Sequence, residues 1–289
     1  MIKSQKQQAV FAGLLTATVL IGWSSLFTTF ALGWHNDEYT YILLILPLAI
    51  ALFLFERSTA DVNREWDLRV GLPLLLATVV ITVITQLLSS RITADLQLTM
   101  GMLAIVLSWI GSFVLCFGHR TARRLLFPLL FLLGMVPLPA AVMNYIVVLL
   151  QVGSAWFAHA LFEAFGVPVF QQGVLLTIPT LTIQVAKECS SIRSSSMLLV
   201  VTIVSARVLL RSPLSRILVI ALAILLSVAK NGFRVFTIAM LGTKVDRGYL
   251  TGSLHRQGGI LFFMAALVGV FAAIGIFRTR ENLQARWSS

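Results

Sequence analysis

Three residues in the second half of the chain have side chains whose combination supports acyl transfer: Cys189, Arg234 and His255. A thiolate is a strong nucleophile, and an imidazole can accept a proton and return it. A guanidinium stays charged and can stabilise the oxyanion of a tetrahedral intermediate. This set indicates cleavage of a peptide bond through a thioester. Because the three residues are far apart in sequence, the hypothesis depends on the elements that position them.

Cys189 stands in the polar stretch KECSSIRSSS, where an extended segment is predicted to give way to a helix. The N-terminus of a helix offers unpaired amide hydrogens and the positive end of the dipole, and both favour thiolate over thiol. Lys187 and Arg193 would add to that bias. Glu188 would oppose it unless it pairs with one of those cations.

Arg234 stands in AKNGFRVF, near the far end of a long apolar helix that begins at Pro213. Lys230 and Arg234 are one turn apart and share a face, with Asn231 beside them. A rise of about 1.5 Å per residue puts Arg234 roughly 30 Å along this helix, at the level of the opposite membrane interface. Ionisable groups there are costly unless they face a partner or water. His255 follows at the entry to the last helix.

The composition requires that these elements be membrane helices. Of 289 residues, 58% are hydrophobic and only 11% are charged, which is typical of polytopic membrane proteins. We therefore expect an all-α integral membrane protein of one domain, residues 1–289, with about eight transmembrane helices. The apolar stretches lie at 9–32, 40–55, 70–88, 98–117, 125–165, 195–210, 214–242 and 259–277.

The net charge of +11 follows the membrane topology and does not indicate a nucleic-acid partner. Basic residues cluster at both termini and in alternate loops, so the positive-inside rule places those regions in the cytoplasm. Cys189, Arg234 and His255 then share the outer face. The basic residues of the cytoplasmic side are Lys3, Lys6, Arg57, Arg64, Arg69, Arg120, Arg123, Arg124, Arg207, Arg211, Arg216, Arg278, Arg280 and Arg286.

Two regions interrupt the helical pattern. Pro137 and Pro139 predict a short entering helix, a break and then a long helix to about residue 165, because each proline removes a backbone donor and restricts the residue before it. The stretch 167–188 is rich in Val, Leu, Ile and Thr and contains a turn at Pro179. Its β-branched alternation predicts a short hairpin or extended loop on the outer face.

Other reactive residues have simpler interpretations. Cys116 is expected to be a packing residue on the opposite side of the membrane from Cys189, so no disulfide joins them. His35 and His119 are expected to be solvated in loops, and His159 to be accommodated in an apolar helix. The two cysteines and four histidines lack metal-ligand spacing, so neither a metal nor a cofactor is expected. The N-terminal apolar run is interpreted as the first membrane helix and not as a cleaved signal peptide.

Four segments together resemble the exosortases and archaeosortases. GVLLTIPTLTIQVAKECSSIRSS resembles the apolar strand-like segment and Cys-Ser-Gly-Ile-Arg-like block of that family. AKNGFRVF is similar to its Asn-x-x-Arg segment, LHRQGG to its His-x-x-x-Gly segment, and FPLLFLLGMVPLP to its proline-broken block. The agreement extends from about 120 to 277, and the first four helices are only compatible with it.

The resemblance implies a membrane cysteine transpeptidase of a prokaryotic inner membrane, commonly associated with extracellular polysaccharide. Its partners would be exported proteins that end in a short motif, a membrane helix and a basic tail. Cys189 would be the nucleophile, Arg234 the catalytic arginine and His255 the general acid and base. Asn231, Lys230, Arg193 and Glu188 would support them.

This sequence departs from the family pattern at two positions. Ser191 replaces the usual glycine, and a serine in the first turn of a helix can satisfy an amide donor. Glu188 replaces a small residue, and it either orients Lys187 or Arg193 or is solvated.

Two other functions remain open from the sequence. A non-enzymatic component of a polysaccharide or lipid export system would use the outer cations to bind anionic headgroups, and Cys189 would then be dispensable. An intramembrane serine protease is disfavoured because no Gly-x-Ser-x-Gly segment is present. In each case membrane lipids surround the protein.

Overall fold

The computed structural model of the chain describes residues 2–57, 65–185, 192–250 and 259–287. Within these ranges the regular structure consists of α-helices, short 3₁₀ turns and three short strands. The helices are α1 (Ile2–Ile21), α2 (Trp23–His35), α3 (Ile42–Arg57), α4 (Leu68–Leu87), α5 (Ala94–Arg124), α6 (Leu126–Phe131), α7 (Ala140–Ala164), α8 (Ile192–Leu209), α9 (Pro213–Lys244) and α10 (Gly259–Trp287). The strands are β1 (Phe170–Gln172), β2 (Leu175–Ile178) and β3 (Leu181–Gln184).

This architecture confirms the expected class of all-α membrane protein. Each predicted apolar stretch coincides with one helix or a pair of helices, but fewer than eight spans are found in the part of the chain that the structure describes. Among the described residues, six helices are long and apolar enough to span a membrane, or seven if the bent pair α1–α2 is one span. The 16 residues of α3 reach only about 24 Å, which is short of the roughly 30 Å hydrocarbon core.

The chain divides into two compact units, Met1–Ala140 and Ala141–Ser289. The prediction of a single polytopic domain stays a prediction. In the first unit, α1 and α2 meet at an angle of 72°. Gly22 lies at the bend, where an added Cβ atom would come within 2.5 Å of the Ile105 side chain. The bend therefore lets the first hydrophobic stretch pack closely against α5.

The packing of α4 against α5 depends on a second close approach. A Cβ atom on Gly71 would lie 2.6 Å from Cα of Leu115, so only glycine fits there. Near its end α5 is kinked at Gly118, whose φ of 81° is a left-handed conformation that suits glycine. Asp67 caps α4 by accepting a hydrogen bond from the Val70 amide at 3.2 Å.

The proline-broken segment has the predicted form. The short helix α6 continues as a 3₁₀ turn over Leu132–Met135, the chain leaves helical structure around Pro137 and Pro139, and α7 then begins. The break is satisfied by side chains of α5. The Thr99 hydroxyl donates to the Pro137 carbonyl at 2.9 Å, and the Asp95 carboxylate accepts from the Ala140 amide at 2.8 Å.

In the second unit, the predicted hairpin is a three-stranded antiparallel meander in the order β1-β2-β3. Its turns fall at Gly173, whose φ is 60°, and at Pro179. Only the turn at Pro179 was predicted from the sequence. Alternation along β2 buries Leu176 and Ile178. These two residues join a core with Phe162 of α7 and residues of α9, so the small sheet packs on two membrane helices.

The remaining helices of this unit form a three-helix layer. Its core contains Leu198 of α8, Val219 of α9 and Val270 of α10, all fully buried. At one end, the Glu281 carboxylate of α10 accepts hydrogen bonds from the Arg211 and Ser212 amides of the α8–α9 turn, at 2.8 and 3.0 Å. These contacts fix the relative positions of the helices that flank the predicted catalytic residues.

Candidate functional site

The described residues contain part of the predicted site. Lys230, Asn231 and Arg234 lie in α9, and Arg193 lies in the first turn of α8, where its side chain is exposed. Cys189, Glu188, Ser191 and His255 lie outside the described residues. The segment with Cys189 runs from the end of β3 to the start of α8, as the sequence predicted. The segment with His255 ends where α10 begins.

Lys230 connects α9 to the start of α8. Its side chain is buried, and Nζ donates a hydrogen bond to the Ser194 hydroxyl at 2.5 Å. Ser194 lies in the first turn of α8, five residues after Cys189. An ammonium group next to a helix N-terminus adds to the positive end of that helix's dipole. Lys230 therefore adds positive charge next to the start of α8.

Asn231 joins α9 to α7. It is 1% exposed, and its amide Nδ2 donates to the Ser154 hydroxyl at 2.9 Å. Ser154 in turn donates to the Leu150 carbonyl at 2.6 Å. The neighbouring Gly232 makes this contact possible, since a Cβ atom there would lie 2.7 Å from the Ser154 carbonyl oxygen. Small residues let two membrane helices approach closely and exchange hydrogen bonds.

Arg234 lies beside the first residue of α10. A Cβ atom added to Gly259 would be 3.9 Å from Nη1 of Arg234. The same two helices are held together by Phe233 and Phe262, whose ring centroids are 6.0 Å apart in an edge-to-face arrangement. Gly259 follows His255 by four residues. The arginine of the predicted triad is therefore close to the described end of the segment with the predicted histidine.

Two consecutive turns of α9 thus lie next to the helices that follow the segments with Cys189 and His255. Lys230 bonds to the helix that follows Cys189, and Arg234 lies next to the helix that follows His255. Two cations one turn apart favour an anion between or beside them, such as a thiolate or an oxyanion. The catalytic roles given to these residues from the sequence stay a prediction.

One buried polar residue near these segments was missed by the sequence analysis. Gln151 of α7 is 9% exposed, and its amide Nε2 donates to the Val185 carbonyl at 2.7 Å. Val185 directly follows β3 and precedes Cys189 by four residues. A glutamine in the middle of a mostly apolar helix is a signal that the sequence did contain.

The remaining histidines and Cys116 have other surroundings. Cys116 is a buried free thiol of α5, as expected for a packing residue. His159 contacts Glu163 one turn later at 3.2 Å. His119 lies in α5, not in a loop, and its ring nitrogen Nδ1 bonds to the Asp67 carboxylate. The expectation that His119 is only solvated was therefore wrong.

That bond affects Asp67 directly. The side-chain hydrogen bond from His119 holds the pKa of the Asp67 carboxyl below its usual value, and the Val70 and His119 amides lower it further. Among the residues that the structure describes, no group of three His, Cys, Asp or Glu side chains can hold a metal ion.

This fold defines a class of protein. Its members are membrane-embedded and helical, with a strand meander and with cations grouped at the starts of two helices. Comparison with family models identifies the particular family. The model of the transmembrane exosortases matches residues 33–272, most of the chain, and the protein belongs to that family. The match begins in α2, so it includes helices that the sequence motifs alone left undecided. Among curated proteins and among solved structures, no match was found.

Proposed function

We propose that the protein is a membrane-embedded cysteine transpeptidase that cleaves the C-terminal sorting signal of exported proteins. Cys189 is the nucleophile, Arg234 the oxyanion-stabilising cation and His255 the general acid and base. Membership of the exosortase family supports the class of reaction. The contacts of α9 support the choice of residues.

The observation that carries the proposal is the pair of contacts at Lys230 and Arg234, one turn apart on α9. Cys189 is three residues from the start of α8, and His255 is four residues from the start of α10. Chains of three and four residues span at most about 11 and 14 Å. Covalent geometry therefore limits how far Cys189 and His255 can lie from the starts of α8 and α10, which supports this choice of residues.

Acylation follows from these roles. The Cys189 thiolate attacks the carbonyl carbon of the scissile peptide bond, and the carbonyl oxygen becomes an oxyanion next to the Arg234 guanidinium. When the tetrahedral intermediate collapses, the C–N bond breaks and His255 gives its proton to the leaving amine. The C-terminal membrane helix and basic tail depart, and the exported protein remains attached to Cys189 as a thioester.

Transfer reverses the proton movement. His255, now neutral, takes a proton from the acceptor nucleophile, which attacks the thioester carbonyl. The C–S bond breaks and Cys189 leaves as a thiolate, so the enzyme returns to its starting state. Lys230 and Arg193 favour this anionic form through their charge, and Asn231 holds α9 in register with α7. Glu188 tunes the positive charge around Cys189.

The proposed location is the inner membrane of a prokaryote, with both termini in the cytoplasm and the site at the outer face. The distribution of basic residues supports this orientation through the positive-inside rule. A sorting signal with a basic tail fits the same orientation, because its tail would remain in the cytoplasm.

A rival function has one observation in its favour. The buried ammonium of Lys230 is bonded to a hydroxyl, and a phosphate headgroup would also suit that position and the neighbouring Arg234. A headgroup-binding component would not need a thiol. The two functions therefore differ in the requirement for Cys189.

The decisive test replaces each cysteine in the full-length protein. An exported protein that ends in a membrane helix and basic tail is coexpressed, and loss of its tail is followed by immunoblotting. Cys189→Ala should abolish tail release while the protein still inserts and accumulates. Cys116→Ala is the matched control and should leave release intact. Full release by the Cys189→Ala protein would disprove the transpeptidase proposal.

The orientation has its own test. In intact cells, a membrane-impermeant maleimide should label Cys189 in the Cys116→Ala protein and leave Cys116 unlabelled in the Cys189→Ala protein. Labelling of Cys189 only after permeabilisation would disprove the proposed topology and leave the chemistry untouched.

A further inference from the structure

Gln151 is a polar residue buried in a membrane helix. It lies in the mostly apolar helix α7 with a 9% exposed side chain, and a buried amide is unfavourable unless it is hydrogen-bonded. Its Nε2 group donates at 2.7 Å to the Val185 carbonyl. This partner is a backbone group of another element, so the bond links the two elements.

Val185 is held on several sides at once. It is fully buried in the core beneath the sheet, together with Ala155 and Phe162 of α7. Its amide donates to the Val174 carbonyl at 3.0 Å, and its carbonyl accepts the bond from Gln151. The last described residue before the Cys189 segment is thus fixed through its amide, its carbonyl and its side chain.

The other end of the same segment is also fixed. The described chain resumes at Ile192, and Ser194 in that first turn accepts the hydrogen bond from Lys230. Cys189 is four residues from Val185 and three from Ile192. Two buried side-chain donors from different helices therefore anchor the chain on either side of the proposed nucleophile.

We propose that Gln151 is a positioning residue, which acts through the Val185 carbonyl to set where Cys189 stands relative to Arg234 and His255. This inference rests on the proposed function of Cys189. A nucleophile must be held close to its attack geometry, and a misplacement of about 1 Å can lower the rate on the order of a hundredfold. The role predicts a loss in kcat with little change in KM.

The test uses the full-length protein in its membrane, with Gln151→Met as the main variant. Methionine keeps the length and the apolar character of the site and removes the donor. We expect kcat for tail release to fall about ten- to a hundredfold with KM unchanged. Gln151→His places an N–H donor at a similar distance and should recover part of the lost rate.

A second readout needs no substrate. In the Cys116→Ala background Cys189 is the single thiol, and its rate of alkylation by a maleimide is measured across pH. With Gln151→Met this profile should shift toward higher pH, because Cys189 is less well placed beside the cations.

The matched control is Thr202→Val in α8. Thr202 is fully buried and donates to the Leu198 carbonyl of its own helix at 2.6 Å, so valine removes a buried hydrogen bond of similar kind without touching the segment. It should leave kcat and the alkylation profile at wild-type values. Thermal unfolding in detergent verifies that each variant is folded.

The outcomes separate the two proposals. If a folded Gln151→Met protein keeps the wild-type kcat and alkylation profile while Cys189→Ala is inactive, the positioning role is wrong and the transpeptidase proposal stands. Equal losses with Gln151→Met and Gln151→His in folded proteins would attribute the effect to packing and overturn the role. If Cys189→Ala remains active, the transpeptidase proposal fails, and the alkylation profile alone decides whether Gln151 positions the thiol.

Discussion

Buried polar groups differ in whether they bond within their own helix or to another element, and each unit of the molecule contains both kinds. In the first unit, the hydroxyl of Thr78 donates to the Leu75 carbonyl of its own helix at 2.7 Å, whereas the hydroxyl of Thr99 donates to the Pro137 carbonyl outside its helix. In the second unit, Gln151, Lys230 and Asn231 extend from their helices to groups on other elements.

The difference indicates which polar residues have a function. A hydroxyl that donates to a carbonyl of its own helix has its hydrogen bond without any partner from another element. Its presence therefore does not indicate a function. An amide or ammonium group buried in a membrane protein is costly and is retained where it positions or binds something. The second unit has such groups on both sides of the segment with Cys189.

The largest expected effect is at Arg234. Arg234→Lys keeps a charge but removes the planar fork of donors, so tail release should fall by at least about a hundredfold. The matched control is Arg216→Lys on the same helix, since Arg216 bonds to the Leu210 carbonyl at the opposite end of α9. Equal activity of the two variants would mean that Arg234 has no part in the chemistry.

Lys230→Met should produce the next largest effect. We expect release to fall about tenfold, while the melting temperature stays the same or rises, because replacing a buried ion by an apolar side chain is often neutral or stabilising. Thr78→Val in the first unit should change neither quantity. If Lys230→Met lowers the melting temperature and leaves tail release unchanged, Lys230 stabilises the fold and has no part in the reaction.

Two glycines provide a direct comparison of the units. Cβ atoms at Gly232 and Gly71 would each meet the backbone of a neighbouring helix, at 2.7 and 2.6 Å. Alanine at either position should lower the free energy of unfolding by about 1–3 kcal/mol, but only Gly232→Ala should also lower kcat. Gly275→Ala meets nothing within 4 Å and should leave stability and activity unchanged. The measurements are denaturation in detergent and tail release.

The smallest effect is expected at Asp67. Its folded-state pKa is lowered by the His119 hydrogen bond, so the contribution to stability is present above the unfolded-state pKa, about 3.9. It is lost as pH falls through the lowered folded-state pKa. Asp67→Asn should remove this acid dependence of the melting temperature and leave tail release at neutral pH unchanged. If the melting temperature of Asp67→Asn falls with acid as it does in the wild type, another group causes the pH dependence.

Much of the fold was predictable from local patterns. The proline-broken entry to α7, the turn at Pro179, and the start of a helix shortly after Cys189 all depend on residues near one another in sequence. Hydropathy located the helices because about 30 Å of hydrocarbon demands long apolar stretches. It also counted α3 as a crossing, although the 16 described residues of α3 are apolar but too few to span the hydrocarbon core.

Other features depend on contacts that sequence patterns do not encode. The bend at Gly22 results from the approach of Ile105, and the kink at Gly118 accommodates the Glu65 carbonyl, 3.0 Å from where a Cβ atom would lie. His119 was expected to be solvated because it was placed in a loop, and its bond to Asp67 was not predictable because the two residues lie far apart in sequence. These are packing effects between helices.

The amino-acid sequence by itself determined that the chain is a helical membrane protein, and it singled out Cys189, Arg234 and His255. Apolar length and charge distribution are properties of the chain that do not depend on how its helices meet. Only the tertiary structure decided that Lys230 bonds to the start of α8, that Arg234 lies beside α10 and that Gln151 bonds to Val185. Hydrogen bonds form over about 3 Å, and such distances are set by small residues such as Gly232, which let neighbouring helices come close.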